Sequence, residues 1–252
     1  MLSPITYLIS AILVFVFSGL LAMAGIGAAF LFVPLFYYLG VPLAEAAPTA
    51  LLLNVVSLFF ATINYWRGKL INFRVGLPVL IVAVILSPFG ARLTPYVDKR
   101  LLLGMFAAFL VFAGAMMLFY HAKKRERALS RPIEVAAGAG VGGVAGFLGG
   151  LLGVGGGNFI LPVLNWIGLD AKVAAGTTAL VVVFSSLSGF LAHATLGGLD
   201  PLFIAITAVM AAAGSIVGSQ LMKTRLSSAQ LKKFIGVLLW LIAAKMIFDL
   251  VK

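Results

Sequence analysis

Cysteine is absent from the chain, which excludes disulfide staples, thiol catalysis and cysteine metal sites. Charge is scarce too, since only 10% of the 252 residues are Asp, Glu, Lys or Arg. The acidic residues are the rarest. Glu45, Asp98, Glu126, Glu134, Asp170, Asp200 and Asp249 all fall in expected loops or near segment ends. That leaves no carboxylate inside a span for a proton relay or a sodium site, which argues against a cation carrier. An enzyme would need a nucleophile, a metal cluster or an acid–base pair, and with only two histidines this chain offers none. No catalytic residue, metal or cofactor is therefore expected. Polar stretches longer than a loop are also missing, so there is no room for a soluble catalytic domain.

What is present is apolar. Hydrophobic residues make up 63% of the chain, and the mean hydropathy of +1.17 lies far outside the soluble range. This composition predicts an all-α polytopic bundle of transmembrane helices. The N-terminal stretch LISAILVFVFSGLLAMAG lacks a basic flank and runs straight into another apolar segment, so it reads as a first span rather than a cleaved signal. Ten apolar segments follow one another, roughly at 5–24, 27–40, 44–66, 76–95, 101–120, 133–152, 155–168, 171–196, 201–222 and 229–250. Two are short: GAAFLFVPLFYYLG at 27–40 and GGGNFILPVLNWIG at 155–168 each begin at glycine and carry a proline, Pro34 or Pro162, expected to break the helix.

Shifting the sequence by 128 positions superposes its halves: Gly25 falls on Gly153, Gly27 on Gly155, Pro34 on Pro162, Gly40 on Gly168 and Thr49 on Thr177. SPFGARL from Ser87 likewise meets SIVGSQL from Ser215. The chain thus divides into a five-segment repeat over 1–122, a basic linker at 123–132 and a second five-segment repeat over 133–252. If every segment crosses, an odd number per half inserts the second half upside down, the inverted repeat of many secondary transporters. Most of the 18 lysines and arginines then collect on one side, at Arg67, Lys69, Arg74, the linker, Lys172 and the stretch Lys223–Lys233. Re-entrant short segments would erase this bias, so ten crossings are expected. By the positive-inside rule the linker is cytoplasmic and both termini lie outside. The net charge of +11 reports orientation, and nucleic acid is not an expected partner.

The glycine turns are the candidate site. In each half a short helix starts where the backbone is interrupted, which places N-terminal N–H groups at membrane depth, where they suit a small anion without a cationic side chain. Gly25, Gly27, Gly153, Gly155, Gly156, Gly157 and Asn158 are read as this site. Gly138, Gly140, Gly142, Gly143 and Gly146 read instead as helix-packing positions. The glycine run is not a nucleotide loop, because no strand precedes it and no Lys-Ser or Lys-Thr pair follows. Thr49, Asn54, Thr177 and Thr178, in the third segment of each half, are candidates to offer donors to the anion's oxygens. His193 is either a titrating group in the bundle or a hydrogen-bonded histidine. Arg92, whose repeat partner is Gln220, either attracts anions or snorkels to the interface. These three are candidates for gating or proton coupling.

The stretch GLLGVGGGNFILPVL, followed by GLDAKVAAGTTALVVVFSSLSGF and a Gly-Gly-Leu-Asp at Gly197–Asp200, resembles the TauE/SafE family of sulfite-exporter-like permeases. The resemblance covers nearly the whole chain but is weaker in the first half, where Ala28, Ala29 and Phe30 stand opposite Gly156, Gly157 and Asn158. It implies export of a small anion such as sulfite or an organosulfonate across the cytoplasmic membrane of a prokaryote. An anion channel and a non-transport membrane scaffold are the alternatives. The expected partners are the anion and the lipid bilayer, with a homodimer suggested by the common preference for twofold assemblies.

Overall fold

A computed structural model describes residues 3–22, 25–120, 131–194, 200–221 and 228–251. Most of the basic linker and Gly197–Leu199 of the family motif therefore lie outside the described residues. The regular structure among those described is entirely helical: α1 Pro4–Ala22, α2 Ala29–Tyr38, α3 Leu43–Arg67, α4 Phe73–Leu93, α5 Lys99–Phe119, α6 Arg131–Leu152, α7 Gly157–Ile167, α8 Ala171–Ala194, α9 Pro201–Leu221 and α10 Ser228–Val251, with one 3-10 turn at Thr94–Tyr96.

Seven of these helices are long and apolar enough to cross a membrane. The short ones, α2 with 10 residues and α7 with 11, are each only about half as long as the ~30 Å hydrocarbon core at ~1.5 Å per residue. Yet in the first half the chain does return across the bundle. Thr6 near the start of α1 donates to the Leu39 carbonyl beyond the end of α2, while Tyr65 near the end of α3 donates to Ala22 at the end of α1. Turn and short helix together thus carry the chain from one end of the bundle back to the other. Tyr38 on α2 donates to Asp249 on α10, which places the two ends of the chain at the same end of the bundle.

The scarce loop acids have a structural use. Asp98 accepts from the N–H groups of Arg100 and Leu101, Asp170 from Lys172, and Asp200 from Leu202 and Phe203, each satisfying first-turn donors of a helix. Asn72, 128 positions before Asp200, does the same for Val75 at the start of α4.

Glycine sets the helix spacing. A Cβ at Gly142 would meet the Val79 carbonyl, one at Gly146 that of Ala83 and one at Gly150 that of Ser87, so α6 lies backbone to backbone on α4. In the corresponding pair, α1 and α9, Gly19, Gly214 and Gly218 make the same kind of approach. A Cβ at Gly138 would also crowd Val79, 3.1 Å from its side chain, whereas one at Gly143 would make ordinary contact and one at Gly140 would meet nothing within 4 Å. Of the five glycines expected at helix interfaces, Gly140 is therefore the exception.

Pro34 and Pro162 do not break their helices. Each lies inside, α2 and α7 continuing past it, because a proline in the first turns forfeits one backbone bond while its fixed φ remains helical. The interruptions fall at the glycines instead. The backbone is left-handed at Gly25, Gly27 and Gly40 and again at their repeat partners Gly153, Gly155 and Gly168, with φ between 69° and 111°.

Candidate functional site

The two glycine turns meet in the middle of the bundle. A Cβ on Gly157 would meet the carbonyl of Ile26, so the first turn lies directly against the start of α7. Each turn also packs on the first turns of the third helix of the other half: Gly25 against the Ala175 carbonyl of α8, Gly153 against Ala47 of α3. Ala47 and Ala175 are themselves 128 positions apart. All of Gly25, Gly27, Gly153, Gly155, Gly156, Gly157 and Asn158 are buried. The structure thus brings together the residues assigned from sequence to one site, and packs them shut.

Asn54 lies between the turns. A Cβ on Gly27 would run into its carboxamide oxygen, and one on Gly155 into its nitrogen. The oxygen accepts from the N–H groups of Ala28 at 2.9 Å and Ala29 at 3.3 Å, while Nδ2 donates to Ser186 of α8 at 3.3 Å. This corrects the expectation of free N-terminal donors in both halves. At the start of α2 the N–H groups of Ala28 and Ala29 are already taken by a side chain from α3. At α7 the cap position is Gly156, left-handed and without a side-chain bond, and position 182, the repeat partner of Asn54, is valine. The two helix ends thus differ in chemistry as they do in sequence.

The threonines separate as well. Thr177 donates to the Val173 carbonyl at 2.7 Å and accepts the Asn72 N–H at 2.9 Å, so its hydroxyl is committed to holding the α3–α4 loop. Thr178 is fully buried, yet its hydroxyl has no hydrogen-bond partner. It lies on α8 between Ala175, which touches the first turn, and Val182, which touches the second. Thr49 is buried at 2% exposure near the start of α3.

The gating candidates stand apart from this centre. His193 is buried near the end of α8, its Nε2 2.9 Å from the Gly150 carbonyl, so the ring joins α8 to α6. Arg92 is exposed in the last turn of α4. Gln220 falls within α9, but its side chain lies outside the described residues. Ser186, with Ser185 and Ser188, belongs to the polar candidates of the third segment, where a serine more commonly hydrogen-bonds between helices. Its signal was available, as a serine one turn beyond Val182, but nothing local distinguished it from its neighbours Ser185 and Ser188.

The profile of the family described as Sulfite exporter TauE/SafE matches residues 10–246. The chain belongs to the TauE/SafE family. Among its relatives, a probable membrane transporter protein of Methanocaldococcus jannaschii is 26% identical over 181 residues, covering 69% of this chain and 67% of that one. A probable membrane transporter protein of Bacillus subtilis is 24% identical over 228 residues, covering 81% of each. The Sulfite exporter TauE/SafE family protein 1 of Arabidopsis thaliana is 39% identical over 80 residues, 32% of this chain and 18% of that protein. No solved structure matches. This TauE/SafE protein is thus a multi-pass membrane transporter rather than an enzyme, and its glycine turns lie within the matched region.

Proposed function

We propose that this transporter exports a small anion, sulfite or an organosulfonate, across the cytoplasmic membrane of a prokaryote, and that the anion passes between the two glycine turns. The observation that carries this reading is the juxtaposition of the turns at the centre of the bundle, beside the fully buried, unpartnered hydroxyl of Thr178. The α7 N-terminus supplies partial positive charge and donors without a cation, which suits an anion in a medium of low dielectric. The two halves act as an inverted repeat. In support, α1 packs on α9 as α6 packs on α4, and the Gly25–Ala175 contact is mirrored by Gly153–Ala47. With the basic linker cytoplasmic, both termini face outward.

Transport on this reading requires the turns to part in alternation. A monoanion leaving an inside-negative cell gains about 2.3 kcal/mol per 100 mV, so no coupling ion is needed.

The test is efflux from proteoliposomes loaded in turn with sulfite, sulfoacetate, sulfate and chloride, with the membrane potential clamped. Gly156→Leu would test packing rather than the pathway, because φ there is +74° and a Cβ would meet the Ala145 backbone. Thr178→Val is the better variant, since it removes only a hydroxyl that nothing else uses. Selective sulfite or sulfonate flux, reduced in Thr178→Val with the fold intact, supports the reading. Absence of flux for all four anions refutes it. Saturation and counter-exchange would mark a carrier rather than a channel.

A further inference from the structure

Asn54 solves a problem that a neutral or a charged side chain could solve equally well. The first N–H groups of α2 begin inside the bundle, away from water, and must find acceptors. A carboxamide oxygen supplies one, and an aspartate would cap the helix at least as well, its charge favoured by the helix end. Asparagine and aspartate differ little in size and shape. The choice between them therefore matters little to capping and a great deal to whatever else occupies the space beside Gly155 and Ser186.

We propose that Asn54 is a selectivity-determining residue: by capping α2 with a neutral group, it keeps the gap between the two glycine turns free of negative charge and so open to an anion. The inference rests on the functional reading above and deepens it. Asn54 is fully buried, its oxygen is turned to α2 in the first half and its nitrogen to Ser186 in the second. The donor end of the amide thus faces the second turn, where the Gly155 backbone approaches so closely that a Cβ would overlap Nδ2. An anion near α7 meets N–H dipoles from Asn54. A carboxylate at the same place would present only acceptors and a full like charge, undiluted by water. Position 182 completes the contrast: valine leaves the α7 end without a side-chain competitor for the anion.

The experiment compares wild type, Asn54→Asp and Ser186→Asp in proteoliposomes, measuring KM and kcat for sulfite efflux together with thermal unfolding of each purified protein. Asn54→Asp is expected to keep a cooperative unfolding transition, at a temperature lowered by the buried charge, while its KM rises on the order of tenfold or more, the size of a like-charge penalty at a poorly solvated site. A cap with no other role would show no such rise in KM, because the cap survives the substitution. Ser186→Asp introduces charge from the opposite side with the α2 cap untouched, so it carries the test if Asn54→Asp does not fold; the same rise in KM is expected. Wild-type flux with unaltered KM in the folded aspartate variants overturns this inference and leaves the transport reading standing. A wild type that moves none of the anions refutes both.

Discussion

Ser188 on α8 donates at 2.8 Å to the carbonyl of Val84 on α4, the carbonyl that Pro88 deprives of its helical N–H donor. The hydroxyl of one half thus repairs the helix of the other. In a bilayer such a repair matters, because no water reaches the freed group.

Ser188→Ala should therefore lower the unfolding free energy by about 1 kcal/mol, the usual worth of a hydrogen bond in a membrane bundle. Pro88→Ala restores the backbone donor, and in that background Ser188→Ala should become close to neutral. Thermal unfolding of the four proteins of this cycle in detergent checks the coupling. Equal losses from Ser188→Ala in both backgrounds would show that the bond does not compensate for the proline.

Two glycines of α6 should respond in opposite directions to the same methyl group. Gly140 is exposed and meets nothing within 4 Å, so Gly140→Ala should raise stability by a few tenths to about 1 kcal/mol through backbone entropy. At Gly142 the added Cβ lies 2.5 Å from the Val79 carbonyl, so Gly142→Ala should force α6 from α4 and cost about 1–3 kcal/mol. Melting temperatures of the two variants suffice to decide.

At the end of the bundle that carries the chain ends, Tyr7 donates to Asp200 at 2.6 Å. That bond, with the N–H groups of Phe203 and Leu202, holds the Asp200 carboxyl below the usual carboxylate range. A lowered folded-state pKa stabilises the protein above the unfolded value, about 3.9, and the stabilisation is lost as pH falls through the folded value. Tyr7→Phe should weaken this dependence. Its melting temperature is expected to lie below that of the wild type at neutral pH and to converge with it in strong acid. Parallel curves across the whole range would assign the effect to packing.

Much of the architecture was readable in advance, for local reasons. The apolar runs announced the helices, and the two shortest runs became the two shortest helices. The glycines at 25, 27, 40, 153, 155 and 168 were legible because a left-handed backbone is a property of single residues. The prolines misled: Pro34 and Pro162 looked like the breaks, yet α2 and α7 continue past them. At the site, adjacent Thr177 and Thr178 looked interchangeable, and only the approach of the Asn72 N–H satisfied one while the other was left without a partner.

The sequence by itself determined that this is a helical membrane protein, where its backbone turns and which family it resembles, because hydropathy and glycine's conformational freedom act residue by residue. Tertiary structure alone decided which donors stay available. Asn54 reaches Ala28 across 26 positions and Ser186 across 132. Whether a buried polar group is satisfied depends on what folding brings within 3 Å or so of it. The two helix ends already differ in sequence at positions 28–30 and 156–158, and packing decided which of their donors found an acceptor.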